Sequence, residues 1–190
     1  MNFLIISLAR CGSSSLLKSI SNSYCLKEIF EPYASWGLQR RKYELSNVVV
    51  KTIFHQINNI EYRLGNLPLS HFEKCLKFYL NLSKKFDKTI LLSRKNRKEQ
   101  AESLYSLYSG TPYNSKYVYE FKNDICEIIN QLECEHSYLE KLSNEINIPI
   151  DTYEEVYYGK GLNDKSIILD YTILDTKYKL RQIVSTKAIL

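Results

Sequence analysis

Phe3-Leu4-Ile5-Ile6-Ser7-Leu8-Ala9-Arg10-Cys11-Gly12-Ser13-Ser14-Ser15-Leu16-Leu17 is the stretch on which the fold turns. Residues 3 to 8 are a short apolar run with β-branched residues at its centre, the pattern of a buried parallel strand. Gly12 lets the backbone turn tightly. Three serines then stand where a helix would begin, and Leu16, Leu17 and Ile20 supply its apolar face. A glycine turn, the free N–H groups of a helix N-terminus and clustered hydroxyls make a cradle for a tetrahedral anion. Arg10 adds a fixed positive charge beside it. Residues 9 to 15 therefore read as a phosphate or sulfate loop, though a serine-capped helix start with no ligand would use the same residues.

Several chemistries are excluded here. An ATP-type P-loop needs G-x-x-x-x-G-K-[ST], and Gly12 is followed by neither the second glycine nor the lysine. A cysteine-phosphatase loop built on Cys11 would need an arginine where Leu17 stands. No G-x-S-x-G elbow is present.

Working outward, the 190 residues suit one domain, 1–190, with a real core. A 44% hydrophobic and 25% charged composition is that of a soluble globular chain. The net charge of +5 leans towards anionic ligands but is too weak to indicate nucleic acid. Five cysteines, an odd number with no C-x-x-C, suit free thiols in a reducing compartment. The N-terminal apolar run is too short for a signal peptide, and no stretch approaches the roughly 20 apolar residues of a membrane span. The expectation is a cytoplasmic protein without a metal cluster.

Apolar runs alternate with helical patterns. Strands are expected at 47–52, 88–93 and 148–153, and helices at 70–86, 97–109 and 116–147. Such alternation argues for an α/β layered fold with a mainly parallel sheet flanked by helices. Ligands in such sheets bind at the carboxyl ends of strands. Arg10 emerges at one such end and Arg94 at another, with Ser103 on the helix that follows. A guanidinium and a helix hydroxyl can hold a phosphate by charge-assisted hydrogen bonds.

Together the two loops resemble the sulfotransferases that use 3′-phosphoadenosine-5′-phosphosulfate (PAPS). Arg10-Cys11-Gly12-Ser13-Ser14 is similar to the family's 5′-phosphosulfate loop, with cysteine in place of the usual serine. Arg94 and Ser103, within Arg94-x-x-Arg97-x-x-Gln100-Ala101-x-Ser103-Leu104, resemble its 3′-phosphate element, most closely that of the bacterial branch with the trehalose 2-sulfotransferases. Val50-Lys51-Thr52-Ile53-Phe54-His55-Gln56, Asp151-Thr152-Tyr153-Glu154-Glu155 and Leu180-Arg181-Gln182 are weaker matches to the family's second strand, fourth strand end and C-terminal nucleotide contact.

The resemblance implies a three-layer P-loop-NTPase-like fold and in-line transfer of a sulfuryl group to an acceptor hydroxyl or amine. It makes the expected cofactor PAPS, the product adenosine 3′,5′-bisphosphate, and a metal unnecessary. Arg10 would stabilise the leaving phosphate, while Gly12, Ser13 and Ser14, joined by Cys11 and Ser15, hold the 5′-phosphate. Arg94, Ser103, Arg181 and Gln182 would hold the other end of the nucleotide. Glu31 is the first choice of general base and His55 its rival; Lys51 would touch the transferring group. The branch favours a carbohydrate acceptor, while a lipid, a small phenol or a peptide stays open. Tyr105, Tyr108, Tyr113, Tyr117 and Tyr119 offer either an acceptor wall or ordinary packing. The alternatives are a nucleotide- or phosphate-transfer enzyme and a degenerate module that binds nucleotide or nucleic acid. A homodimer is the default quaternary expectation.

Overall fold

The computed structural model describes residues 1–33, 46–57, 67–108 and 124–174. They form an α/β fold around a five-stranded, all-parallel sheet in the order β2-β3-β1-β4-β5. The strands are β1 (Phe3–Ser7), β2 (Lys27–Phe30), β3 (Val48–Ile53), β4 (Lys88–Ser93) and β5 (Ile150–Thr152). The helices are α1 (Ser13–Tyr24), α2 (Leu69–Ser83), α3 (Arg97–Tyr108), α4 (Ile125–Ile146) and α5 (Tyr153–Tyr157).

Every residue of β1 is buried, because the strand is paired on both edges and covered on both faces. Its register sets Phe3 against Val49 and Lys88, and Ser7 against Ile53 and Leu92. Fully burying one such Leu or Ile side chain contributes about 2 kcal/mol, so this strand is the sheet's anchor.

The strand order dictates where the helices lie. The chain leaves β1 through α1 towards β2, then crosses back over β1 through α2 to reach β4. Right-handed crossovers running in opposite directions place α1 and α2 on opposite faces. β3 registers this residue by residue, since adjacent side chains on a strand point oppositely. Lys51 reaches Ser14 of α1 (3.3 Å), and Thr52 meets the Tyr79 hydroxyl of α2 (2.8 Å). α4 lies with α2, where Phe72 and Tyr138 stack at 5.6 Å. On the α1 face, Ser19 donates to the Asp170 carbonyl (3.0 Å) and Tyr24 to that of Ser166 (3.2 Å). The reversal of direction at β1 makes the carboxyl ends of β1, β3 and β4 the place for a ligand.

Three boundaries differ from the sequence pattern. β2 is not announced by its sequence, because only Ile29 of its four residues is buried. The strand expected at 148–153 ends at Thr152 and gives way to α5. There Thr152 is the N-cap: its hydroxyl accepts from the Glu155 amide (3.4 Å) and donates to the Glu155 carboxylate (2.6 Å), which starts a helix. The helix expected from 116 is described from Ile125, capped by Asp124 and ended by Asn147 in the left-handed region. Arg181, Gln182, Tyr113, Tyr117, Tyr119 and the loop at 110–112 lie outside the described residues. No described helix is long and apolar enough to cross a membrane.

Candidate functional site

The turn after β1 is fixed by backbone conformation. Arg10 (φ 61°) and Gly12 (φ 76°) both adopt the left-handed region, which costs a non-glycine residue about 1–2 kcal/mol. The Gly12 carbonyl accepts from the amides of Ser15 (2.9 Å) and Leu16 (3.3 Å) and from the Tyr157 hydroxyl (2.5 Å). Gly12 is thus the N-cap of α1, and no side chain caps the helix. The amides of Ser13 and Ser14 belong to the first turn, which an α-helix leaves without internal acceptors. A Cβ on Gly12 would meet the Tyr157 hydroxyl at 2.8 Å and the Tyr153 ring at 2.9 Å, so space and φ both demand glycine.

The other loop residues divide by burial. Ser13 and Ser15 are buried and Ser14 is half-buried, leaving Ser14 the best placed hydroxyl. Cys11 is fully buried. Its thiol donates to the Ala9 carbonyl (3.6 Å) and accepts from the Gln100 amide (3.3 Å). Burial pushes this thiol well above its ordinary range, against the pull of Arg97 and Arg94. The Cys11 side chain is therefore a packing element under the loop rather than a ligand contact.

Beside the loop, Lys51 at 6% exposure pairs with the Glu31 carboxylate while its Nζ lies 3.3 Å from Ser14 Oγ. Glu31 follows β2 with φ 43° and donates its amide to the Lys51 carbonyl (2.7 Å). The ends of β2 and β3 thereby bring a carboxylate, an ammonium and a loop hydroxyl together. Removing either partner of such a buried pair leaves the other charge uncompensated. Arg10 is exposed, and its Nε donates to Ser103 Oγ (2.9 Å), joining the loop to α3.

The loop after β4 has its own anion. Lys95 and Asn96 donate their amides to the Glu154 carboxylate at 3.0 and 3.1 Å. Asn96 caps α3 by accepting from the Glu99 amide (3.1 Å). Arg94 is buried, pairs with Glu99, lies 3.9 Å from Glu154 and sits 5.0 Å over the Tyr153 ring. Arg94 and Ser103 thus have protein partners, carboxylates for the one and Arg10 for the other.

The structure does not bring His55 to this group. It follows β3 on the α2–α4 side, fully buried, with Nδ1 2.9 Å from Glu135, which also accepts from Gln131 (2.9 Å). His55 is thus enclosed between α2 and α4, while Glu31 is the carboxylate that pairs with Lys51 beside the loop. Among the described residues no group of three or more His, Cys, Asp or Glu could hold a metal ion.

Sequence reasoning missed Glu154 as the partner of the α3 amides, Tyr157 as the partner of Gly12, and Gln100, which donates to the Ala9 carbonyl at 2.6 Å. Each joins segments far apart in the chain. The one local signal was the Thr152-Tyr153-Glu154-Glu155 helix start. No family model matches the chain, and no curated protein matches it.

Proposed function

We propose that this chain is a sulfotransferase that moves a sulfuryl group from PAPS to a hydroxyl or amine of an acceptor, a carbohydrate by preference. The observation that carries the reading is the Lys51 ammonium set between Ser14 of the loop and the Glu31 carboxylate. An anion cradle alone binds; a cradle with a cation and a carboxylate beside it can also transfer. The donor set fits the phosphosulfate end of PAPS: first-turn amides, the Ser14 hydroxyl, Lys51 and the exposed Arg10. The β1–α1 loop would on this reading be P-loop-like in role while lacking the Walker lysine.

The chemistry resembles phosphoryl transfer in depending on positioning and electrostatics. Glu31 takes the acceptor proton as the acceptor oxygen bonds to sulfur. The bond from sulfur to the bridging oxygen breaks, and its electron pair stays on the phosphate. Arg10, which cannot give up its proton, and the α1 amides stabilise that charge. Lys51 holds Glu31 in place and offers its ammonium to the sulfuryl oxygens.

A nucleotide- or phosphate-transfer enzyme is the second reading, favoured by one observation: Arg94, the arginine expected at a 3′-phosphate, already faces Glu99 and Glu154. Calorimetric binding of adenosine 3′,5′-bisphosphate beside ADP, without magnesium, separates the two. Selective binding of the bisphosphate supports sulfotransfer and leads to acceptor screening with PAPS. A preference for ADP supports phosphate transfer, and binding of neither overturns both.

A further inference from the structure

Arg10 is a strained residue with an exposed side chain. At φ 61° it lies in the left-handed region, and unlike Gly12 it carries a Cβ that penalises this conformation. Such residues persist where their surroundings over-determine them. Here the surroundings include one side chain of α3, the fully buried Gln100. Its Nε2 donates to the Ala9 carbonyl (2.6 Å) and to Cys11 Sγ (3.3 Å), so it grips the residues on either side of Arg10. The Cys11 thiol closes the turn by donating to the same Ala9 carbonyl (3.6 Å). Gln100 Oε1 accepts from Arg97 Nη1 (3.3 Å), which also donates to Ser93 Oγ at the end of β4 (3.3 Å). A flipped carboxamide would set its oxygen against the Ala9 carbonyl and its N–H groups against the guanidinium, so Arg97 fixes its orientation. Three residues further along α3, and on the same helix face, Ser103 accepts from Arg10 Nε (2.9 Å). α3 therefore holds Arg10 twice, its backbone through Gln100 and its guanidinium through Ser103.

We propose that Gln100 is a positioning residue for Arg10: it fixes the left-handed turn that carries the guanidinium to Ser103. The hold itself is a property of the loop; only its bearing on turnover rests on the function proposed above. Gly12 is held separately, from α5 through the Tyr157 hydroxyl (2.5 Å). Loss of Gln100 should therefore displace Arg10 and leave the first-turn amides of α1 where they are. In sulfuryl transfer Arg10 meets charge that develops on the leaving phosphate. Its displacement then costs turnover rather than donor binding.

The test is Gln100→Met, which fills a similar volume with an unbranched chain and donates nothing. The first readout is the Arg10 backbone, whose HN–Hα coupling and Cα and Cβ shifts report φ. In the variant these should leave the left-handed pattern of the unaltered chain while the Ser13 and Ser14 amides keep their resonance positions. An Arg10 that keeps its left-handed signature overturns the proposal. So do Ser13 and Ser14 amides that move as far as that of Arg10, since Gln100 would then support the loop as a whole. The second readout is turnover with PAPS: kcat should fall about 100-fold, with KM for PAPS changed by less than about threefold. A raised KM with kcat unchanged overturns the assignment. Should the variant fail to fold, the unaltered chain decides. Its Gln100 side-chain amide protons should exchange with water as slowly as the β1 backbone amides, and rapid exchange refutes the hold. Calorimetry with adenosine 3′,5′-bisphosphate on the unaltered chain separates the two readings. No binding there, with Arg10 displaced in Gln100→Met, sinks the proposed function and leaves Gln100 as the hold on Arg10. Binding there, with Arg10 unmoved in the variant, does the reverse.

Discussion

After β1 the chain turns through Arg10 and Gly12 and gives the first-turn amides of α1 to no carboxylate among the described residues. After β4 it turns through Arg94 to Asn96 and gives the amides before α3 to its own Glu154. Both are strand–turn–helix junctions at the carboxyl end of one parallel sheet, and both gather basic residues. They differ in polar accounting. At the first, Arg10, the Lys51–Glu31 pair and the Ser14 hydroxyl stand beside the turn. At the second, carboxylates from α3 and α5 already face the arginine. Similar shape therefore does not give two junctions the same partners; the rest of the chain sets those.

Substitutions can break or sharpen this contrast. The largest effect is expected from Gly12→Ala. It forces a Cβ into the left-handed region and against the Tyr153 and Tyr157 side chains, so stability to denaturant should fall by about 3 kcal/mol. A loss below about 0.5 kcal/mol would mean that α5 yields easily, and the first loop is then less fixed than the second. Next comes Lys51→Met, which removes the ammonium between Ser14 and Glu31. Turnover with PAPS should drop about 100-fold or more, measured under saturating donor. An unchanged rate would show that the carboxylate and hydroxyl need no cation between them. The smallest effect is that of Tyr157→Phe, which deletes one hydrogen bond to a carbonyl that keeps two amide donors. Unfolding free energy should fall by about 1 kcal/mol; no change would remove the hydroxyl from the hold on Gly12.

Legibility followed the range of the interactions. β1, β3 and β4 announce themselves because strands buried on both faces are continuous apolar runs. α2 shows through Phe72, Cys75 and Tyr79, which recur at helical spacing and are buried. The turn at Gly12 was readable from residue type, whereas Lys51 and Glu31 were expected near it only through the family resemblance. β2 was not readable, since an edge strand with a single buried side chain carries almost no pattern. Nor was the pairing of His55 with Glu135 or of Glu154 with Lys95 and Asn96. A carboxylate on a later helix looks the same in sequence whether it faces water or an amide far away in the chain. Hydrophobic periodicity reports a face, not a partner, and it is the partners that differ between the two loops.

The central position of β1 has a consequence for how the chain is made. This strand leaves the ribosome before both of the strands that flank it, and its last neighbour is complete only at Ser93. At roughly 5–20 residues per second, a strand whose first four residues are all apolar waits several seconds for its sheet. The segment that ends in the turn at Gly12 is thus also the nascent chain's longest-standing invitation to aggregate, and the part a chaperone would hold first.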